Sequence, residues 1–107
     1  MQDDVIFTES DKILTARPTC EIDHHTARSI REKIDKNLFR LKPCMLVLDF
    51  SDVRFMDSSG IGLILGRTEL CDSLGCHVRL MALSPLLLKL VRLSGIEKIK
   101  NLSIGKG

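Results

Sequence analysis

The sequence predicts a single α/β domain, residues 1–107, in which helices cover a mixed β-sheet of four to five strands. The chain has 107 residues, a length that suits one domain and leaves no room for two. Two short strand-like runs near the N-terminus are followed by alternating helical patterns and strand-length apolar runs, the order typical of an α/β fold.

A hairpin and an amphipathic helix are predicted first. Residues 5–9 and 12–17 are β-branched or alternating runs separated by Ser10-Asp11, which favours two antiparallel strands. Asp23 then occupies an N-cap position, with Ile22 before it and Ala27 four residues after it as a hydrophobic staple. The helix is predicted to end near residue 41, and its apolar face repeats at spacings of three and four: Ala27, Ile30, Ile34 and Leu38.

The central strand and the second helix follow. Residues 44–50 are a nearly continuous apolar run, the pattern of a central strand covered on both faces. Capping residues at 57–59 precede an apolar helical run, so the second helix begins here and ends at Gly75, a left-handed stop. Most of this helix is expected to be buried, with one face formed by Ile61, Ile64, Leu65, Thr68 and Cys71 and widened by Leu63, Leu70 and Leu74.

One more strand and helix complete the prediction. Residues 78–83 form a strand, and Ser84 caps a third helix that has Pro85 at its first position, where a missing N–H costs nothing. This helix runs to Ser94 and stops at Gly95, and residues 99–104 add a last strand.

Composition excludes several classes of function. The net charge of +2 is too small to argue for a nucleic acid or an anionic membrane as partner, and an aromatic content of 4% removes the usual base-stacking platform. No apolar stretch approaches the ~20 residues that span a bilayer, and the acidic N-terminus lacks the layout of a secretory signal. We therefore expect a cytoplasmic protein that binds neither nucleic acid nor membrane.

No metal or redox site is expected from the cysteines and histidines. Cys20, Cys44, Cys71 and Cys76 lack CxxC spacing and are predicted to be free thiols. His24 and His25 are adjacent on a helix, where neighbouring side chains point about 100° apart. They cannot easily share an ion, and surface or partner-contact roles are favoured.

Three enzyme motifs fail around Ser58. A phosphate-binding loop needs four residues between its glycines and then Lys, but Gly60 and Gly66 enclose five residues and Arg67 follows. The third glycine of a dinucleotide fingerprint would fall on Leu65. A nucleophile elbow would need Gly where Met56 stands. The residues offer no evident base for a serine nucleophile, and enzymatic activity is not expected.

The same segment offers two accessible hydroxyls, Ser58 and Ser59, on the loop that opens the second helix. A phosphate there would be tolerated by the helix start. A partner docked on a neutral hydroxyl would instead meet bulk and ~1.5 to 2 negative charges beside Asp57. From the residues alone, a simple helix cap by Asp57 or Ser58 is the favoured explanation of the segment.

Two segments resemble those of the sporulation anti-sigma factor antagonists, which are STAS domains. Residues 20–27, CEIDHHTA, are similar to a segment of that family that begins with Gly, so Cys20 stands where Gly is usual. Residues 55–62, FMDSSGIG, with their continuation to Arg67, are similar to its phosphorylation-site segment. Ser84-Pro85 with Ser94-Gly95 resembles the frame of its third helix. Relatives often continue beyond the position of Gly107 into another helix, which leaves the covering of the last sheet edge open.

The resemblance implies a small sheet with helices packed mainly on one face, in a regulator that is not an enzyme. The unphosphorylated antagonist would bind an anti-sigma factor that is also a serine kinase and release the sigma factor; phosphorylation would prevent binding, and a serine phosphatase would reset the switch. ATP or ADP would be bound by the kinase, with no cofactor on this chain, which is expected to be monomeric when free. By motif, Ser58 is the acceptor, and the partner-binding residues are Asp23, Asp57, Ser58, Ser59, Gly60, Ile61 and Gly62.

Two other classes of function stay open at this point. One is a STAS scaffold or sensor that binds a nucleotide or lipid, and the other is an enzyme with an unrecognised site. In the third helix most leucines are predicted to be core, and Leu88 is chosen as a residue that stays exposed and extends a partner surface.

Overall fold

The sheet consists of one antiparallel hairpin and three further strands, each parallel to the strand before it. The computed structural model describes residues 3–105. Its elements are β1 (Val5–Ser10), β2 (Ile13–Pro18), α1 (His24–Leu41), β3 (Met45–Asp49), α2 (Ser58–Ser73), β4 (His77–Met81), α3 (Pro85–Ser94), a 3-10 turn (Ile96–Lys98) and β5 (Leu102–Ile104). The strand order is β1-β2-β3-β4-β5, with β1 antiparallel to β2 and the remaining neighbours parallel. The mixed sheet and the central position of β3 are confirmed.

The order of the strands decides where the loops meet. Since β2, β3 and β4 are parallel neighbours, their carboxyl ends lie at one edge of the sheet. The connections 19–23, 50–57 and 82–84 all leave from that edge. All three α-helices therefore start at this edge of the sheet.

The two faces of the sheet differ in burial. Leu14, Leu46, Val78 and Leu102 lie side by side in register and are buried. On the other face, Met45 and Val47 of the central strand are only half-buried. The sequence-based expectation that β3 is covered on both faces is therefore wrong, because the helices cover mainly one face of the sheet and the apolar run does not reveal which.

The first two helices pack side by side, α1 against β2 and α2 against β4. The predicted face of α1 is confirmed, since Ile30, Ile34 and Leu38 are fully buried. In α2 the predicted face is confirmed for Ile64, Thr68 and Cys71 but not for two leucines, which are substantially exposed: Leu65 and Leu74. The expectation that most of α2 is buried is wrong, since six of its 16 residues are buried.

A charged residue, Arg67, lies where α2 faces α1. Its side chain is 9% exposed, and its Nε lies 2.8 Å from Oδ1 of Asp35 on α1, without the alignment of a hydrogen bond. Burial raises the pKa of Asp35 and lowers that of Arg67, while each charge opposes the shift of the other. A largely buried ion pair thus joins the two helices. Removing either partner would leave the other charge uncompensated.

Three local features differ from the sequence-based expectation. The hairpin turns through Asp11 and Lys12, both with positive φ as in a type I′ turn, one residue later than predicted. β4 ends at Met81 because Ala82 adopts positive φ. The last strand is shorter than predicted, since a 3-10 turn at residues 96–98 precedes it.

The third helix begins and ends at the predicted residues, with Ser84 as its cap and Gly95 at φ 80° after its last turn. The choice of Leu88 as its exposed leucine is wrong, because Leu88 is half-buried. The exposed leucines are Leu86, at 65%, and Leu93, at 76%. They lie seven residues apart, two helical turns, and so share one face of the helix.

All four cysteines are free, as the sequence predicts. Cys71 and Cys76 are buried, Cys20 is half-buried and Cys44 is exposed. Cys20 is not among the described residues with positive φ, so the turn before Glu21 does not require the glycine that is usual there.

The two glycines near the start of α2, Gly60 and Gly62, have different surroundings. A Cβ on Gly60 would lie 2.7 Å from Sδ and 2.9 Å from Cβ of Met56, a residue that is itself buried. A Cβ on Gly62 would meet nothing within 4 Å. The fold therefore needs glycine at position 60 and not at position 62.

We expect Gly60→Ala to lower the free energy of unfolding by about 1–3 kcal/mol, because the added methyl overpacks against Met56. Gly62→Ala should instead raise it by about 0.5–1 kcal/mol, because alanine favours the helix. Urea denaturation of the two variants beside the parent chain measures both. Shifts in the same direction would contradict the packing described here.

Candidate functional site

The site is built on a backbone link between the loops that precede α1 and α2. Ile22 N donates to the carbonyl of Phe55 at 3.1 Å, and Asp57 N donates to the carbonyl of Ile22 at 3.1 Å. These two bonds form a parallel bridge between Ile22 and Met56. The N-termini of the two helices are thereby held side by side.

Asp57 fixes the start of α2. Its Oδ1 accepts a hydrogen bond from Ser59 N at 2.7 Å, and its carbonyl accepts one from Gly60 N at 2.9 Å. Asp57 is thus the N-cap, as predicted, and Ser58 is the first residue of the helix. Ser58 is exposed, and its hydroxyl has no hydrogen bond to any of residues 3–105. An acceptor at this position would be open to a second protein.

Asp23 caps α1 in the same way, as the sequence predicts. Its Oδ1 accepts from His25 N at 2.8 Å and from Thr26 N at 2.9 Å. In return, Asp23 N donates to the Thr26 hydroxyl oxygen at 3.0 Å, which completes a capping box. The backbone N–H groups of Thr26 and His25 hold the pKa of Asp23 below its ordinary value. Asp23 is therefore ionised at neutral pH, and its cap faces the start of α2 across the Ile22–Met56 bridge.

The remaining predicted site residues divide between the interior and the surface. Ser59 and Ile61 are half-buried, and Gly62 is exposed. Gly60 is buried, so its contribution is the close approach to Met56. The first turn of α2 thus presents Ser58 and Gly62 outward.

An exposed aromatic ring, Phe55, lies three residues before Ser58, and the sequence analysis did not single it out. Phe55 is 47% exposed, whereas the next residue, Met56, is 3% exposed. The extended backbone held by Ile22 turns successive side chains in opposite directions. The signal that could have indicated it is the pair of successive apolar residues, 55 and 56, because only one of two neighbours in an extended segment can face the core.

A groove of about 450 Å³ lies between the first halves of α1 and α2. It is lined by His24, Ala27, Arg28 and Arg31 on α1 and by Ser59, Gly62 and Leu63 on α2. The sequence analysis assigned Arg28 and Arg31 only to the polar face of α1. Their spacing from His24, four and seven residues, is the signal that places all three on one side of a helix.

The geometry does not assemble a nucleophile with a base at Ser58. The serine–histidine contact found in residues 3–105 is between His77 Nε2 and Ser103 Oγ, 2.9 Å apart on β4 and β5. The start of α2 does supply the N–H groups and partial positive charge that tolerate a phosphate. The arrangement at Ser58 is thus suited to carrying a modification.

His24 and His25 are both exposed at the start of α1. No group of three or more His, Cys, Asp or Glu side chains in residues 3–105 is arranged to hold a metal ion. Within the same range, no helix has the length and apolar character needed to cross a bilayer.

Comparisons with known proteins agree with this geometry. The model of the STAS domain family matches residues 4–103. An anti-sigma F factor antagonist from Paenibacillus polymyxa is 36% identical over 87 residues, which are 81% of this chain and 74% of that protein.

Two solved structures share the fold. The anti-sigma factor antagonist SpoIIAA in its unphosphorylated form is 25% identical, with a TM-score of 0.75 over 96% of this chain and 88% of that one. The phosphorylated form of the Bacillus cell fate determinant SpoIIAA is 27% identical, with a TM-score of 0.73 over 95% and 91%. The expected five-stranded mixed sheet with three helices is the fold of these proteins. On the family match, the sequence identity and the shared fold, this chain belongs to the STAS domain family.

Proposed function

We propose that this chain is an anti-sigma factor antagonist controlled by phosphorylation of Ser58. In its unphosphorylated form it binds an anti-sigma factor that is also a serine kinase, and the sigma factor is released. The kinase, holding ATP, phosphorylates Ser58 and ends the binding, and a serine phosphatase restores it. The chain itself catalyses nothing and needs no cofactor, since ATP and ADP belong to the kinase.

The observation that carries this proposal is the placement of Ser58. It is exposed, its hydroxyl makes no hydrogen bond to residues 3–105, and it is the first residue of a helix whose start is fixed by Asp57. A kinase can reach this hydroxyl without unfolding the chain. The relative SpoIIAA exists in unphosphorylated and phosphorylated forms, and this supports a phosphorylated state here.

Electrostatics explain how one phosphate can act on the partner while sparing the fold. The phosphate adds ~1.5 to 2 negative charges at neutral pH, close in size to the formal charge of +2 on the whole chain. The N-terminus of α2 favours a negative charge. A partner surface fitted to the neutral hydroxyl beside Asp57 meets both the bulk and the charge.

The partner surface in this proposal is the pair of helix starts. It comprises Asp23, Asp57, Ser58, Ser59, Gly60, Ile61 and Gly62, to which we add the exposed ring of Phe55. We further expect the chain to act in the cytoplasm as a monomer when free, with no nucleic acid or membrane as partner.

Incubation with the cognate anti-sigma factor kinase and ATP should place a single phosphate on Ser58, because of the two hydroxyls at the start of α2 only that of Ser58 is exposed. Mass spectrometry of peptides locates it. Ser58→Ala should abolish the incorporation, whereas Ser59→Ala should retain it. A phosphate on another residue, or none, would overturn the assignment.

Ser58→Asp should weaken binding to the ADP-loaded kinase by about tenfold or more, since one carboxylate imitates part of the phosphate charge. Ser58→Ala should bind like the parent chain and escape inactivation by ATP. Isothermal titration measures both affinities.

Ser10→Asp is the matched control for the added charge. Ser10 is exposed at the end of β1 and pairs with Ile13 at the start of β2, so it lies at the edge of the sheet opposite to Ser58. Its affinity for the kinase should equal that of the parent chain. Equal weakening by Ser10→Asp and Ser58→Asp would show a general charge effect and refute a local one.

The Asp23→Asn variant should separate the capping role of Asp23 from the effect of its negative charge on binding. The amide oxygen can still accept from His25 N and Thr26 N, so the melting temperature at neutral pH should stay close to that of the parent. Binding to the kinase should weaken because the carboxylate is gone. Asp23→Ala, which loses the acceptor as well, should lower both.

The stability of the Asp23→Asn variant should also depend on pH differently from that of the parent chain. The folded-state pKa of Asp23 is lowered, so its carboxylate stabilises the fold above the unfolded-state pKa, and this stabilisation is lost as the pH falls through the folded value. Thermal melts of Asp23→Asn should therefore lose less stability on acidification than those of the parent. Identical acid profiles would contradict the role of the carboxylate in the cap.

A further inference from the structure

The groove between α1 and α2 is a positively charged recess one turn away from the acceptor serine. Its α1 wall carries Arg28, Arg31 and His24, and its α2 wall carries the neutral residues Ser59, Gly62 and Leu63. Asp23, at the start of α1, binds two backbone N–H groups in its cap. The groove walls therefore contribute cationic groups and no carboxylate.

Two carboxylates on α1 lie near these arginines and only partly offset them. Arg28 Nε lies 3.3 Å from Oε1 of Glu32, but the side chains are 79% and 61% exposed, and such an exposed pair exchanges readily with other partners. Asp35, one turn beyond Arg31, is paired with Arg67. Arg31 itself has no carboxylate of residues 3–105 within ion-pair distance. Its guanidinium is thus available to a group that enters the groove.

The α2 wall of the groove includes a glycine that the fold does not require. Gly62 lies in the first turns of α2, where glycine lowers helix stability relative to alanine. A Cβ at this position would contact nothing within 4 Å, so no close approach inside the chain explains it. Across the groove, Ala27 is also small. The small residues on both walls and the arginines on the α1 wall together fit a side chain that comes from outside.

We infer that this groove binds an acidic segment, one or two Asp or Glu side chains, of the anti-sigma factor kinase. The inference rests on the proposed function. Guanidinium groups bind carboxylates through paired N–H donors, and about 450 Å³ holds a few side chains. The groove lining contains no Phe, Tyr or Trp ring to stack a base, and this favours a polypeptide over a nucleotide.

The position of the arginines gives them a distinct task in docking. At about 1.5 Å per residue, Arg28 and Arg31 lie about 7.5 Å and 12 Å along α1 from Asp23. The acidic segment therefore contacts the antagonist beside the phosphorylation site. Arg28 and Arg31 are positioning residues that fix the register in which Ser58 is presented, and they speed association through charge.

The test uses Arg28→Glu and Arg31→Glu, singly and combined. Arg40→Glu, in the last turn of the same helix, is the control that matches each single variant in charge, since Arg40 bonds to Asn37 instead of lining the groove. Titration against the ADP-loaded cognate kinase should show an affinity at least about tenfold lower for the double variant. The loss should shrink as salt rises from about 0.05 to 0.5 M, because the attraction is screened. Arg40→Glu should stay within about twofold of the parent.

Phosphorylation kinetics add a second readout. The double variant should raise the KM for the antagonist while leaving kcat nearly unchanged, and Arg28→Lys/Arg31→Lys should recover most of the affinity. If the parent binds the kinase and the double variant binds equally well, the inference is overturned and the proposed function stands. If the parent neither binds nor accepts a phosphate, both are overturned.

Discussion

The candidate site depends on the pairing of Ile22 with Phe55 and Asp57. This pairing joins two loops that leave different strands, and it uses only backbone groups. Because the backbone holds the two helix starts together, the side chains at those starts are not needed for that purpose. The side chains of Asp23 and Asp57 cap the two helices, and the Ser58 hydroxyl makes no hydrogen bond to residues 3–105. A rigid frame with an unoccupied hydroxyl is what a reversible modification requires.

Some residues at the start of α2 stabilise the fold, and others face outward where a partner can reach them. Asp57 and Gly60 face inward, one as a cap and the other as a close contact of Met56. Ser58 and Gly62 face outward and make no contact on which the packing depends. A phosphate can therefore change the surface while the domain keeps its shape. In the proposed switch, the phosphate would act through a local charge and would need no second conformation of the chain.

Much of the fold was predictable because its signals are local. The three helix starts are predicted by the residue types at their N-caps: Asp23, Asp57 and Ser84. The parallel order of the strands brings those starts to one edge of the sheet. The open face of the sheet was not predictable, since Met45 and Val47 look the same in a buried strand as in a half-buried one. The burial of Arg67 depends on Asp35, a residue on another helix. The groove likewise exists only once α1 and α2 have packed.

The strand order has a consequence for assembly of the domain. Each strand is added beside the one before it in the chain, but the Ile22–Met56 bridge links segments separated by all of α1 and β3. Such a non-local contact carries the entropic cost of closing the intervening loop. A chain in which this bridge had not formed would present Ser58 without the neighbouring start of α1. A partner that must contact both helix starts therefore distinguishes a completed domain from an unfinished one.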